Sequence, residues 1–343
     1  MSFKFILCLR HQFSPGKQTC TLSDKTVLKS RKIFRLAKNC NLGYFDIIVN
    51  FIFAGWFLNT DQYFFVSDLH GSLSRYEKLF QVIKKDKPRV LFIGGDILPS
   101  GLKAISAGTD DFMKNIVIKG FSELKRDLKN DYPEVYIILG NDDGKYDEPK
   151  IIKAESKGLW NYIHNKKVVH MGYCIYGYSF IPPTPFLMKD WEKYDVSRYT
   201  EPGCISPEDG KRTYHIEPNL VRYSTIKKDL EDLFGDDDLS KAIILFHSPP
   251  YKTNLDRAAL DGVIIDSAPV DVYVGSIAIK DIIEEKQPYI TLHGHIHESA
   301  GITGSWKDKI GKTILFTGAH DGKELALIKF DPVKPEKAVR ILL

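Results

Sequence analysis

The chain has 343 residues, of which 43% are hydrophobic and 27% charged, as is ordinary for a folded globular protein. The formal net charge of +4 is uneven, because residues 1–45 carry nine Lys and Arg against Asp24 alone and the remainder carries −4. The main part of the chain therefore lacks the general basic character of nucleic-acid-binding proteins.

The five cysteines form neither a CxxC pair nor a closely spaced framework, which argues against a zinc knuckle and a disulfide scaffold. This cysteine usage is typical of a reducing compartment, and we expect a cytoplasmic location.

Residues 1–60 differ in character from the rest and are predicted to be an extension of uncertain status. A basic, acid-poor stretch leads into the apolar run 47–58, which contains Asn50. Three interpretations stay open: a targeting peptide, a poorly ordered or non-native extension, or a membrane-associated segment at 46–58. The run is shorter than the roughly 20 residues of a spanning helix, so it gives no clear membrane span.

From Tyr63 onward, apolar runs alternate with helical periodicity, and residues 61–343 are predicted to form one domain. In chain order we expect strands at 63–67, 90–95, 135–140, 168–171, 173–180, 242–246, 289–292, 312–316, 325–330 and 339–342. Helices are expected at 73–83, 112–128, 219–234 and 277–285. This order indicates an α/β fold with mixed sheets. The irregular stretch 182–218 is either a substrate-reading lid or a surface loop that packs its own aromatic residues.

Five of these strands end directly in side chains that can bind a hard metal ion, namely Asp68 with His70, Asp96, Asn141, His247, and His295 with His297. Ligands in open α/β sheets gather beyond the carboxyl ends of the strands, so these side chains are expected to converge. A set of nitrogen and oxygen ligands without thiolate suits Mn, Fe, Zn, Co or Ni. Two such ions side by side favour hydrolysis of a phosphate ester.

The ordered blocks Asp68-x-His70, Gly95-Asp96, Gly140-Asn141-Asp142-Asp143, His247 and Gly294-His295-Ile296-His297 resemble the calcineurin-like metallophosphoesterase superfamily. The resemblance runs from about Tyr63 to Leu343. It implies a four-layer α/β/β/α sandwich with two mixed β-sheets. It also implies that Asp68, His70 and His297 hold a first divalent metal ion. Asn141, His247 and His295 would hold a second, and Asp96 would bridge the two.

One position departs from the family pattern, because most relatives have His directly after the Gly-Asn pair, where this chain has Asp142. Smaller branches also lack that His and keep an acid one place later, which Asp143 matches. Asp142 and Asp143 are therefore the candidate catalytic residues. Either Asp142 protonates the leaving group, or the proton comes from water or another residue, which we favour because metal ions should make an Asp more acidic.

The predicted function is hydrolysis of a small phosphodiester or phosphomonoester by water activated between two metal ions. A nuclease of the same superfamily and a catalytically silent metal-binding scaffold remain alternatives, and the oligomeric state is not predicted. The roles of three further residues near the motifs stay open. His293 could orient a metal ligand, His320 could border the site, and Arg75 could reach phosphate or simply lie on a solvated helix face.

Overall fold

The computed structural model describes residues 62–100, 111–265 and 267–343, and the structural statements below concern these residues. The predicted extension at residues 1–60, including the segment 46–58, lies outside them. Within the described ranges, no helix combines the length and the apolar character that crossing a membrane requires.

The described part of the chain contains fourteen strands. They are β1 (Tyr63–Val66), β2 (Val90–Gly94), β3 (Glu134–Ile138), β4 (Asn161–Tyr162), β5 (Lys166–His170), β6 (Tyr173–Tyr178), β7 (Ala242–Phe246), β8 (Ile264–Ile265), β9 (Ala268–Pro269), β10 (Ile290–His293), β11 (Lys307–Ile310), β12 (Thr313–Thr317), β13 (Ala326–Phe330) and β14 (Val339–Leu342). The sequence did not predict β11, because its Lys-Asp-Lys-Ile segment has no apolar run.

The strands form two six-stranded mixed sheets and a small hairpin of β8 and β9. The first sheet has the order β14-β13-β1-β2-β3-β4, in which β1 to β4 are parallel, β13 is antiparallel to β1, and β14 is antiparallel to β13. The second has the order β11-β12-β10-β7-β6-β5, with four parallel strands inside two antiparallel edge strands. Parallel neighbours place the carboxyl ends of their strands at one edge of each sheet.

Seven α-helices accompany the sheets in the described ranges: α1 (Leu73–Asp86), α2 (Lys119–Leu128), α3 (Glu148–Glu155), α4 (Pro218–Tyr223), α5 (Ile226–Phe234), α6 (Ile277–Lys286) and α7 (Ser299–Thr303). The prediction of a single helix at 219–234 was wrong. Ser224 has extended backbone angles, and the Thr225 side chain caps a new helix by accepting from the N–H of Lys228, so α4 and α5 are separate. The helix predicted at 112–128 begins as a π-helical segment, Met113–Ile118, before α2.

Alternate residues of each strand face two different cores. Phe65 and Phe92 of the first sheet pack with Leu245 and Leu292 of the second, which fills the space between the sheets. Their neighbours along the strands, such as Phe64, pack against the helices on the outer faces. This period-two alternation gives a four-layer α/β/β/α sandwich with two mixed sheets, which confirms the predicted fold class.

Candidate metal centre

Two groups of metal-ligand side chains converge at the carboxyl ends of β1, β2, β7 and β10. The first group consists of four ligand atoms that all lie within 4.8 Å of one another, one each from Asp68, His70, Asp96 and His297. In the second group, the same holds for Asp96, His247 and His295. Asp96 belongs to both groups, so its two carboxylate oxygens could serve two neighbouring cations.

In the first group, two imidazole nitrogens face each other. Nε2 of His70 lies 2.9 Å from Nε2 of His297, and the latter lies 3.2 Å from Oδ1 of Asp68. Nε2 of His70 is also 3.8 Å from Oδ2 of Asp96. Two imidazole lone pairs repel at such a distance unless a proton or a metal ion lies between them, so this arrangement suits a cation.

In the second group, a hydrogen bond on the far side of the ring fixes the orientation of His247. Its Nδ1–H donates to the carbonyl oxygen of Gly94 at 2.8 Å, which turns Nε2 towards Asn141 Oδ1 at 3.0 Å and Asp96 Oδ2 at 3.3 Å. A metal-binding histidine usually donates its other ring nitrogen in this way. The ring of His295 lies next to that of His247, with 5.3 Å between the centroids. Asn141 therefore joins the second group, as the family resemblance implies.

The backbone of the site lies in the left-handed region at four of the seven candidate ligands. The φ angles are +58° at Asp68, +47° at His70, +49° at Asp96 and +73° at His295. Such angles cost free energy in residues other than glycine and are concentrated at functional sites. Gly140 has a different role: an added Cβ would overlap the Asp96 carboxylate and the His247 ring. A glycine before Asn141 therefore lets β3 approach the shared ligand.

The charges of the site lower the pKa values of Asp68 and Asp96 and raise those of three of its bases, His70, His247 and His297. Burial alone would raise the pKa of Asp96, but the charge and hydrogen bond of His247 outweigh burial and lower that pKa to about 2. Burial alone would lower the pKa of His70, but the Asp142 hydrogen bond and nearby carboxylates raise it to about 9. The pKa of His247 also rises to about 9, against the effect of burial, because Asp96 and Asp68 are close.

Burial and neighbouring charges also set the pKa values of Asp68, His295 and His297. For His297, burial lowers the pKa, but the hydrogen bond and charge of Asp68 outweigh burial and raise it. For Asp68, burial raises the pKa, but the hydrogen bond and charge of His297 hold it well below its usual range. For His295, burial and the neighbouring His247 lower the pKa to about 3, which keeps the ring neutral and able to bind a metal ion. The cluster therefore attracts positive charge, and divalent cations would take the place of its protons.

The two candidate catalytic acids lie in different environments. Asp142 is partly exposed, and its Oδ2 lies 3.2 Å from Nδ1 of His70, the ring nitrogen that faces away from the first group. Its backbone N–H donates to Oδ1 of Asp96 at 2.7 Å. Asp143 is completely buried, and its carboxylate accepts hydrogen bonds from the backbone N–H groups of Ile97, Leu98 and Gly140. Both carboxylates are thus engaged by hydrogen bonds with other groups of the site.

The structure also places the three residues whose roles the sequence left open. His293 is fully buried, with its ring nitrogens 2.9 Å from the Ser248 carbonyl oxygen and 2.8 Å from Thr291 Oγ1. Arg75 donates to the carbonyl oxygens of Asp68 and Gly322, so it connects two loops of the site rather than lying free on a helix face. His320 borders the site, because it lines a cavity beside the first group.

That cavity has a volume of about 650 Å³. Its lining includes His70 and His297 together with Ser72, Ser74, Lys78, His320 and Lys323. Sequence reasoning missed Lys78 and Lys323, because neither belongs to a motif and they are far apart along the chain. The volume lies within the usual range for small-molecule sites, and the lining includes many polar side chains.

The fold and the site define an α/β sandwich with a two-centre cluster of Asp, Asn and His side chains at its strand ends. The sequence profile of the family described as calcineurin-like phosphoesterase matches residues 63–299, and the chain belongs to this family. The family generally binds two divalent metal ions, and the donors of both groups fit such ions. A comparison with curated protein sequences finds no match.

The solved structures that match this chain are distant in sequence. The crystal structure of TT1561 from Thermus thermophilus has a TM-score of 0.50 and 15% identity, covering 83% of this chain and 99% of that one. Another crystal structure has a TM-score of 0.52 and 16% identity, covering 82% and 98%. A dimetal phosphatase from Danio rerio has a TM-score of 0.43 and 8% identity, covering 82% and 99%. At such identities the first two matches show the fold alone.

Proposed function

We propose that this protein is a binuclear metal-dependent phosphoesterase that hydrolyses a small phosphodiester or phosphomonoester. The observation that carries the proposal is the sharing of Asp96 between two groups of metal-ligand side chains. We assign Asp68, His70 and His297 to the first ion, and Asn141, His247 and His295 to the second. Asp96 would contact both. A pair of divalent ions supplies an acidified water molecule and neutralises charge on the phosphoryl group.

The chain's own residues prepare the site in three ways. Gly94 orients His247 and Asp142 orients His70, each through a hydrogen bond to Nδ1, the ring nitrogen that faces away from the other ligands. The backbone N–H groups of Asp142 and His295 fix the Asp96 and Asp68 carboxylates. Because its carboxylate is engaged with His70, Asp142 is proposed as a positioning residue, and the leaving group would take its proton from water. Asp143 would hold the loop after β3 in place.

The cavity supports a small substrate. It adjoins His70 and His297, so an ester bound there would reach the first ion with its phosphoryl group. Ser74, Lys78 and Lys323 offer hydroxyl and ammonium donors to the polar remainder of the substrate. Of the five candidate metals, Mn, Fe, Zn, Co and Ni, manganese is the first to test.

The proposal is tested with the full chain, reconstituted separately with Mn²⁺, Co²⁺, Ni²⁺, Zn²⁺ and Mg²⁺. We expect turnover of bis-p-nitrophenyl phosphate or p-nitrophenyl phosphate, and about two bound ions per chain by elemental analysis. Asp96→Ala should lower activity by more than about 100-fold and reduce bound metal to one ion or none. Asp232→Ala, at an exposed ion pair with Lys228, is the matched control.

Three outcomes would contradict parts of the proposal. No turnover with any of the five metals, despite two bound ions, would favour the silent scaffold. Turnover of single-stranded DNA but of neither nitrophenyl ester would favour the nuclease. Full metal content in Asp96→Ala would show that Asp96 is not shared.

A further inference from the structure

A second cavity, of about 200 Å³, lies between two irregular segments that follow β6 and β7. Pro182, Pro183 and Pro185 line it from the first segment, and Tyr251 and Tyr273 line it from the second. None of the residues described above as metal ligands or as lining the cavity beside His70 belongs to it. It is therefore a separate site.

Aromatic and aliphatic side chains dominate this second cavity. Tyr199, Tyr251 and Tyr273 contribute rings, and its aliphatic residues are Val196, Leu260, Val263, Ile265, Val270, Val274 and Ile277. The rings of Tyr251 and Tyr273 meet edge to face with 6.4 Å between their centroids. Lys252 and Arg257 lie over these rings but do not line the cavity. The rings of Tyr251 and Tyr273 are thus held by contacts that need no ligand.

The charges in the lining are all negative. Among the described residues, the cavity is lined by Asp195, Glu201 and Asp271 but by no Lys, Arg or His. The Asp195 carboxylate lies at the N-terminus of α6, where it accepts hydrogen bonds from the Ser276 hydroxyl and from the N–H of Ile277, both at 2.6 Å. Asp271 accepts from the Tyr251 hydroxyl at 2.5 Å. An anionic ligand would meet repulsion here with no basic side chain in the described lining to offset it.

We infer that this cavity is a binding site for an aromatic ring that carries no negative charge. A cavity of about 150 Å³ already accommodates benzene, so the volume suffices for one substituted ring. Tyrosine rings offer edge-to-face and offset contacts to such a ring, and the prolines provide flat apolar surface. Several apolar residues at the rim remain partly exposed, including Val196 at 36% and Val263 at 37%, and a bound ring would cover them.

The inference does not depend on the phosphoesterase proposal, because it concerns a cavity lined by none of the proposed metal ligands. It is tested by binding alone. We would titrate the full chain with 4-fluorobenzyl alcohol and, in parallel, with 4-fluorobenzoate, and follow the ¹⁹F NMR signals of both probes. We expect saturable binding of the alcohol and binding of the carboxylate that is about ten-fold weaker or weaker still, since one charge repulsion of about 1.4 kcal/mol gives that ratio.

Two variants locate the binding. Val196→Trp and Val263→Trp each place an indole at the rim of the cavity from a partly exposed position, and each should weaken binding of the alcohol about ten-fold or more. Val169→Trp, at a position 68% exposed on β5, is the matched control and should leave the affinity unchanged. Thermal unfolding of each variant shows whether it is folded.

Three results would overturn the inference: no saturable binding of the alcohol, equal affinity for the carboxylate, or unchanged affinity in both folded rim variants. Retained ester hydrolysis in a rim variant that no longer binds the alcohol would leave the proposed function intact. Loss of hydrolysis without loss of ring binding would bear on the metal centre only.

Discussion

Asp142 Oδ2 lies 3.2 Å from His70 Nδ1, on the side of the imidazole ring that faces away from the other metal-ligand side chains. A carboxylate at this position accepts a hydrogen bond from Nδ1–H and leaves the Nε2 lone pair directed at His297 and Asp96. Carboxylates behind metal-binding histidines act in this way, fixing the tautomer and raising the basicity of the ligand. The residue that departs from the family pattern therefore has a structural partner in the site.

Replacing Asp142 by Ala should weaken binding of the first metal ion and lower activity about 10–100-fold, because His70 loses the group that orients it. Asp142→Asn keeps an oxygen that can accept a hydrogen bond from Nδ1–H and should lose less. The measurements are metal titration of the chelated protein and kcat with bis-p-nitrophenyl phosphate.

Asp142→His separates positioning from proton transfer. If Asp142 positions His70, this variant should lose metal affinity as Asp142→Ala does. A gain in kcat for esters with poor leaving groups, at full metal content, would instead show that the native site lacks a proton donor at this position.

Replacing Asp143 by Ala should lower the free energy of unfolding by about 2–4 kcal/mol, because three buried backbone N–H groups lose their acceptor. Urea denaturation of the metal-free protein measures this change. Asp143→Asn should cost less, since it keeps one acceptor oxygen. Asp232→Ala is the surface control and is expected to change stability by no more than about 0.5 kcal/mol. Wild-type stability with lost turnover in Asp143→Ala would contradict the structural role and restore a catalytic one.

Removal of metal should destabilise the protein, because ions that bind only the folded state add to its stability. We expect a melting temperature at least about 5 °C lower after chelation, restored by Mn²⁺ or Zn²⁺. Asp96→Ala should lose most of this response, since the ligand shared by both groups is absent. An equal response in that variant would mean that the stabilising ion binds elsewhere.

Because of His164, the free energy of unfolding should fall in mild acid. The pKa of its ring is held well below the usual value by burial and by the charges of Lys145, Lys193 and Lys166. The unfolded chain takes up a proton below about pH 6.5, whereas the folded chain does so only at much lower pH. Stability from this residue is therefore complete above about pH 6.5 and declines as the pH falls, by about 1.4 kcal/mol between about pH 7.5 and 5.5.

The check is urea unfolding at about pH 7.5 and 5.5 for the wild type and His164→Asn. Asn can replace Nδ1 as acceptor for the N–H of Ser179, now at 3.1 Å. We expect the variant to lose less stability than the wild type over this interval. His215→Asn, at an exposed side chain, is the control and should follow the wild type. An unchanged pH dependence in His164→Asn would refute the assignment.

Regular patterns in the sequence were sufficient to predict most of the fold. The alternation of strands and helices after Tyr63 identified the α/β class, and the apolar runs located β1, β2, β3, β7 and β10. Elements without an apolar run were missed, as for β11, and a helix interruption that depends on the Thr225 cap was not visible from periodicity. Boundaries of this kind depend on individual hydrogen bonds rather than on patterns.

The sequence by itself determined which side chains could bind metal, because each follows a strand and parallel strands end at a common edge. Their division into two groups around Asp96 was implied by the family resemblance, and the distances between these residues, which are far apart in the chain, come from the tertiary structure. The tertiary structure also decided that Asp142 faces His70 and that the buried Asp143 carboxylate accepts hydrogen bonds from three backbone N–H groups. Two adjacent acids have the same chemistry in a sequence, and burial and hydrogen-bond partners give them different roles.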